Sequence, residues 1–267
     1  KFLPVSKTDP EYPEFRGERL DGRDLIAEWL AADGQRQYIW KLDQFEALDP
    51  HESGPVLGLF EPGHMQFEVD RNKPEGGPTE PSIAQMTEFA IRRLQGGEKG
   101  FFLMVEGGRI DHAHHGTNAA RALTETVMMD LAVARALELT DPADTLIVVT
   151  ADHSHAMTIS GYPPRGNPIL GKVPLEVASD VQEIFQRPYT TLGYTNGPGY
   201  QAEIPNLTEV DTTDPDYRQF AGWPLPSETH GGEDVAAYAH GLGAERLRGV
   251  IEQRRIYNVM ASALFDE

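Results

Sequence analysis

Apolar residues recur at helical spacing in the first third of the chain and gather into short unbroken runs further on, and this change of period marks out the elements. Leu25, Ile26, Trp29 and Leu30 share one face of a stretch that opens at "DGRDL" and stops at Gly34, which predicts a helix. Ile83, Met86, Ala90 and Leu94 form a second stripe, introduced by a capping box of Ser82 and Gln85 and closed by Gly96. Between them "VLGLFEPGHMQFEV" reads as short extended pieces about a Pro-Gly turn, and residues 1 to 21, rich in Pro, Glu and Gly, read as an extended loop. "GFFLMVEGG" is a continuous apolar run bounded by glycines, the pattern of a strand buried on both faces. A helix follows it in "GTNAARALTETVMMDLAVARALELT", with Ala120, Leu123, Val127, Leu131 and Ala134 on its apolar face. A second buried run, "DTLIVVTADHSH", completes strand, helix, strand, so the pattern predicts a βαβ unit with a right-handed crossover in a parallel sheet.

The character then changes. From 162 to 228 Pro, Gly, Asn, Thr and Asp dominate and helical periodicity is lost, which predicts a loop-rich insertion. "EDVAAYAHG" returns to a short strand, and 244 to 265 closes with one or two helices. Three segments result: an α/β core over 1–161, the insertion over 162–228, and a return to the core over 229–267. No internal repeat or low-complexity tract interrupts them.

Composition narrows the function classes. Lys and Arg total 23 against 42 Asp and Glu, a formal charge of -19 over 267 residues, so attraction to a nucleic-acid backbone is excluded as a design. There is no Cys, hence no disulfide and no thiolate metal site; any metal must sit on imidazole and carboxylate. No apolar run reaches the length of a membrane span. "KFLPVSKTDPEYPEF" carries neither an initiator Met nor an apolar signal core, and the expectation is a chain that begins partway through a longer protein.

"GGRIDHAHHGT" places three of the nine His beside an Asp and an Arg, directly after the first apolar run. In open α/β sheets ligands collect beyond the carboxyl ends of strands, where loops converge. The first run delivers Glu106 and, after a Gly-Gly turn, Asp111 and His115; the second delivers Asp152 and His153. Asp111 and His115 are four apart, which on a helix puts them one turn apart on one face. A lone His is ordinarily a surface or capping residue, but acid plus imidazole at both strand ends favours a metal cluster, with Zn²⁺, Mn²⁺ or Fe²⁺ suited to the mixed set and Mg²⁺ to carboxylates alone.

"FFLMVEGGRIDHAHHGTNAARALTETVMMDLAVARALE", "LIVVTADHSHAMTISGYPPRG", "YTTLGYTNGPGY" and "ETHGGEDVAAYAHG" resemble the carboxyl-terminal half of alkaline phosphatases of the animal type, a likeness running from "DPEYPEF" to the end. The resemblance implies part of a doubly wound, mostly parallel sheet sandwiched by helices, with 162–228 as a shortened crown-like subdomain. It implies two zinc ions and one magnesium: Asp111, His115 and His230 on one zinc, Asp152 and His153 on the second, and Glu106 on magnesium. His155 resembles a residue behind the ligands, although a buried structural role is equally open from the residues alone. His112 and His114 are expected to bond locally, and Arg109 to be a structural partner. A third cation, calcium, is implied at Glu11, the Phe60 carbonyl, Glu61 and Glu80; the alternative is a set of ordinary solvated acids.

The implied activity is hydrolysis of phosphate monoesters through a phosphoserine in a secreted, periplasmic or cell-surface homodimer. The Asp-Ser-Ala nucleophile, the phosphate-clamping Arg and the hydroxyl ligand of magnesium are absent from these 267 residues, since the family carries them in its amino-terminal half. This chain alone is therefore expected to be inactive and to need that half as a partner. A non-catalytic metal- or phosphate-binding remnant, or a sulfatase or phosphodiesterase of the same superfamily, are the alternatives.

Overall fold

A computed structural model describes residues 1–9, 12–71, 77–173 and 186–265. The chain divides into two compact units, Lys1–Leu103 and Met104–Glu267.

In the first unit, Pro4 bridges Arg19 and Thr8 bridges Arg16, so the opening loop doubles back on itself. Helix α1 (Leu25–Ala32) starts at Asp24, whose carboxylate accepts the Ala27 N–H at 3.0 Å. Strand β1 (Gln37–Ile39) pairs in parallel with β2 (Val56–Gly58), with α2 (Leu42–Glu46) between them and the one-turn α3 (Glu68–Arg71) after them. Helix α4 (Ile83–Leu94) has both halves of the expected capping box: Gln85 N–H donates to Ser82 Oγ at 3.2 Å and Ser82 N–H to Gln85 Oε1 at 2.8 Å.

The second unit holds the candidate chemistry. The short α5 (Arg109–His115) is followed at once by the long α6 (Ala119–Leu139), which is capped by the Asn118 side chain on Arg121 N–H at 2.9 Å. Strand β3 (Leu146–Thr150) leads into β4 (Ser154–His155) and β5 (Met157–Ile159). The loop-rich stretch contributes β6 (Lys172–Val173), β7 (Tyr189–Thr190) and β8 (Leu192–Tyr194). Strands β9 (His230–Gly231) and β10 (Ala237–Gly241), a short 3-10 turn at Ala244–Arg246 and α7 (Arg254–Phe265) close the chain. The pairs β3–β10, β4–β9, β5–β8 and β6–β7 are all antiparallel.

The architecture is mixed α/β, but the expected doubly wound, mostly parallel sheet is not seen among the described residues. Every sheet there has two strands and only β1–β2 is parallel. "GFFLMVE" is not a strand, and with it goes the βαβ unit. The physical reason is that a strand is defined by its neighbour: without a partner to take its N–H and C=O groups, an apolar extended run has no ladder. The run is also only half covered, with Phe102 59% and Met104 72% exposed. The same holds for α6, where Ala119, Ala120, Ala122 and Ala132 are buried while Val127 and Leu131 of the expected stripe lie open. Periodicity located this helix but chose its buried face only in part, because that face depends on what packs against it.

Candidate metal centre

Three segments distant in sequence converge in the second unit. Helix α5 supplies Asp111 and His115 at helical spacing i, i+4, bringing Asp111 Oδ1 within 3.3 Å of His115 Nε2. The loop after β3 supplies Asp152 and His153, and the β4–β9 ladder sets His155 directly opposite His230. Directly opposed residues project to the same face of an antiparallel pair, which is how His155 and His230 come together.

The outcome is a single carboxylate oxygen ringed by imidazoles. Asp111 Oδ1 lies 3.1 Å from His155 Nε2, 3.4 Å from His230 Nε2 and 3.9 Å from His153 Nε2. The rings of His153 and His230 stack with centroids 3.5 Å apart, and those of His114 and His155 at 4.6 Å. Asp111 Oδ1 and His155 Nε2 are both shut off from solvent and neither makes a hydrogen bond. Orphaned buried polar atoms are costly, and a cation beside Asp111 Oδ1 supplies the partner that this carboxylate lacks.

The distances say which cation suits them. His230 Nε2 is 3.3 Å from His115 Nε2, so Asp111 Oδ1, His115 Nε2 and His230 Nε2 form a triangle with sides of 3.3, 3.3 and 3.4 Å. Zinc bonds of about 2.0–2.2 Å in tetrahedral geometry put neighbouring ligand atoms about 3.3–3.6 Å apart. The triangle has the dimensions of one face of such a tetrahedron and leaves the fourth corner to another ligand. The donor set, two imidazoles and a carboxylate without sulfur, fits zinc equally well.

The other candidate residues are placed differently. Asp152 has an 89% exposed side chain and stands 3.4 Å from His153. Glu106 is exposed and its carboxylate turns over Gly108. Among the described residues, neither joins a group of three ligand atoms. In the first unit, Glu80 is 1% exposed and its Oε1 accepts the Gln66 N–H at 2.7 Å, while the Gln66 side-chain amide reaches Glu61 Oε1 at 3.3 Å. Gln66 thus ties the two acids together, with Phe60 preceding them in an edge contact to Phe45. Glu11 lies outside the described residues.

Two supports escaped sequence reasoning. His114 bonds not locally but to the Tyr194 hydroxyl, 80 positions on, at 2.9 Å. Burial, reinforced by the neighbouring His155, pushes the His114 imidazole down to about 4, and burial likewise holds the Tyr194 phenol above its usual range. Glu228, 1% exposed, stands behind His115 and His155: its carbonyl is 2.6 Å from His115 Nδ1 and its Oε2 is 2.8 Å from His155 Nδ1. None of these contacts has a local signature in the sequence, because the partners stand 80, 113 and 73 positions apart.

The helix carrying Asp111 and His115 ends on a strained residue. Thr117 has φ 54° and is fully buried, an outlier for a β-branched side chain. Its N–H donates to the His114 carbonyl at 2.7 Å, closing α5, and its carbonyl accepts the Gln219 N–H at 2.8 Å. Gly197, at φ 129°, packs against the Thr117 methyl where no side chain would fit. The loop-rich stretch thereby clamps the end of the helix that carries Asp111 and His115.

A family model described as alkaline phosphatase matches residues 1–265. The chain belongs to the alkaline phosphatase family. Among similar proteins, the tissue-nonspecific alkaline phosphatase of Gallus gallus is 48% identical over 98% of this chain and 50% of its own length. That of Homo sapiens is 46% identical with the same coverage, and an alkaline phosphatase of Gadus morhua is 43% identical over 98% of this chain and 55% of its own length. The chain therefore spans about half the length of the curated relatives it matches. Among solved structures, the alkaline phosphatase of Thermus thermophilus superposes with a TM-score of 0.47 at 30% identity, covering 54% of this chain and 30% of that one. The candidate metal ligands of this alkaline phosphatase segment all lie inside the matched range.

Proposed function

We propose that this chain is the carboxyl-terminal half of a metal-dependent phosphomonoesterase, and that Asp111, His115 and His230 hold its first zinc. The triangle of ligand atoms with sides of 3.3, 3.3 and 3.4 Å carries the reading. Asp152 and His153 would contribute to a second zinc and Glu106 to magnesium, with the remaining ligands and the serine nucleophile supplied by sequence outside these 267 residues. The wide exposure of Asp152 and Glu106 supports that division: acids awaiting partners from another segment have no reason to be folded inward. Open apolar positions at Phe102, Met104, Val127 and Leu131 support it too, as surface left for that segment to cover. No helix among the described residues is long and apolar enough to cross a membrane; a secreted, periplasmic or cell-surface homodimer is part of the proposal, as the family resemblance implies.

When bound, such ions polarise a phosphoryl oxygen and stabilise the charge on the entering and departing oxygens of a displacement. The chain's own part is orientation. Asp111 and His115 are set by one helical turn of a helix whose end Thr117 and Gly197 hold in place, and His230 by its ladder partner His155. Three groups fixed in advance lose little freedom on binding, which favours a tight and well-defined site.

The test uses the complete gene product. Zinc content and turnover of an aryl phosphate are expected to fall together in His230→Ala, with aryl sulfate a poor substrate throughout. Acid quenching with labelled phosphate is expected to trap label on a serine outside residues 1–267. Full turnover by a zinc-free protein, or label within these residues, refutes the proposal.

A further inference from the structure

His115, His155 and Glu228 place three ligand-type atoms close together, a grouping that reads at first as another metal site. The hydrogen bonds argue otherwise. Glu228 Oε1 takes the Ala156 N–H, Glu228 Oε2 takes the proton of His155 Nδ1 at 2.8 Å, and the Glu228 carbonyl takes that of His115 Nδ1 at 2.6 Å. Protons occupy the places a metal would need. His155 Nδ1 and Glu228 Oε2 stand only 2.8 Å apart, the spacing of a hydrogen bond and closer than the roughly 3.3 Å that separates two ligands of one tetrahedral zinc.

Burial makes the arrangement informative. The Glu228 side chain is fully enclosed, and no Lys or Arg is paired with it in any described ion pair. An enclosed carboxylate is expensive unless N–H donors surround it. Here the donors are one backbone N–H and the ring of His155. A neutral side chain of the same shape would fill the space without that cost, so packing alone does not explain an acid at this position.

We infer that Glu228 is the positioning residue of the metal centre, committing the Nδ1 atoms of His115 and His155 so that both Nε2 atoms point at Asp111 Oδ1. The result is visible in the distances of 3.3 Å and 3.1 Å from those Nε2 atoms to Asp111 Oδ1. A ring nitrogen held by a hydrogen bond fixes both the tautomer and the plane of the imidazole, and so the direction of the opposite lone pair. Glu228 does this for two rings at once, through its backbone for one and its side chain for the other. Its Cβ also abuts Gly197, which ties the loop-rich stretch to the same pair of rings. The inference rests on the metal reading of the centre given above.

Glu228→Gln separates positioning from packing. The amide keeps the volume but offers a single acceptor oxygen where Ala156 N–H and His155 Nδ1–H each require one, so one of them is left facing an NH₂ group. The bond from His115 to the backbone carbonyl is untouched, which provides an internal control. In the complete gene product, zinc affinity measured by competition with a chromophoric chelator is expected to fall about 10-fold in this variant, at the low end for a support of a metal ligand, because the His155 ring that Glu228 holds reaches the zinc only through Asp111 Oδ1, 3.1 Å away. In ¹⁵N-histidine-labelled wild type, His115 and His155 are both expected as Nδ1–H forms, and in the variant His155 alone is expected to change.

Unaltered zinc affinity in a folded Glu228→Gln, or a wild-type His155 with a bare Nδ1, overturns the inference. A purely structural Glu228 would lower the melting temperature of the metal-free protein while leaving both readouts unmoved. Should the variant fail to fold, the wild-type spectrum still decides. A wild type that retains no zinc refutes the metal reading instead, while its spectrum continues to judge Glu228.

Discussion

Gly197 offers the sharpest test of how the loop-rich stretch supports α5, the helix that carries Asp111 and His115. It sits at φ 129°, its N–H donates to the Trp223 carbonyl at 3.0 Å, and a Cβ placed on it would stand 2.5 Å from Thr117 Cγ2 and 2.9 Å from Glu228 Cβ. Neither neighbour can retreat easily, since Thr117 and Glu228 are both buried. Gly197→Ala therefore meets two costs. A non-glycine residue in left-handed space costs about 1–2 kcal/mol. Forcing a methyl into a filled site costs about 1–3 kcal/mol more. Gly166 is the control, because it too has positive φ, 89°, but a Cβ there meets nothing within 4 Å. Equilibrium urea unfolding of the two variants in the complete gene product should give a loss of about 1–2 kcal/mol for Gly166→Ala and about 2–5 kcal/mol for Gly197→Ala. Only Gly197→Ala should also weaken zinc retention, by displacing the end of α5. Equal losses of stability in the two variants, with zinc retention intact in both, would refute the claim that Gly197 clamps Thr117.

Other substitutions probe separate links. Ser82→Ala removes one half of the α4 capping box and should cost about 1 kcal/mol in the same unfolding assay. Asp111→Asn should abolish zinc retention at the first site, measured by elemental analysis after dialysis, because Asp111 Oδ1 is the atom on which the imidazoles converge. For metal-free protein, burial lowers His114 from its ordinary 6.5 to about 4, so the unfolded chain binds the extra proton first. Its contribution is present in full above about pH 6.5 and is lost as pH falls toward 4, up to about 3 kcal/mol in all. Urea midpoints taken at pH 7 and pH 5 should differ less in His114→Phe than in wild type, and an equal difference would remove His114 from the account.

Local signals in the sequence were enough wherever the responsible interaction is itself local. The capping box of Ser82 and Gln85 is made by residues three apart, and the Asp111–His115 arm by residues four apart, so spacing alone located both. The absence of Cys likewise confined any metal to imidazole and carboxylate. Resemblance drew His230 into the set with Asp111 and His115. What remained depended on partners far along the chain. "GFFLMVE" has the composition of a buried strand yet forms none among the described residues, since hydrogen bonding to a neighbour, and not hydrophobicity, makes a strand. Val127 and Leu131 satisfy a helical stripe but stay exposed, because burial belongs to the pair of surfaces and not to one helix. Glu228 reads in sequence as one more acid in a chain carrying 42 of them. Only the fold shows it enclosed behind His115 and His155, and His114 bonded to Tyr194, because those contacts span 113, 73 and 80 positions and no periodicity reaches so far. Residue type and spacing along the chain specify the candidate ligands and their helical arm, whereas packing brings those candidates together and holds them, since convergence is a property of the folded chain.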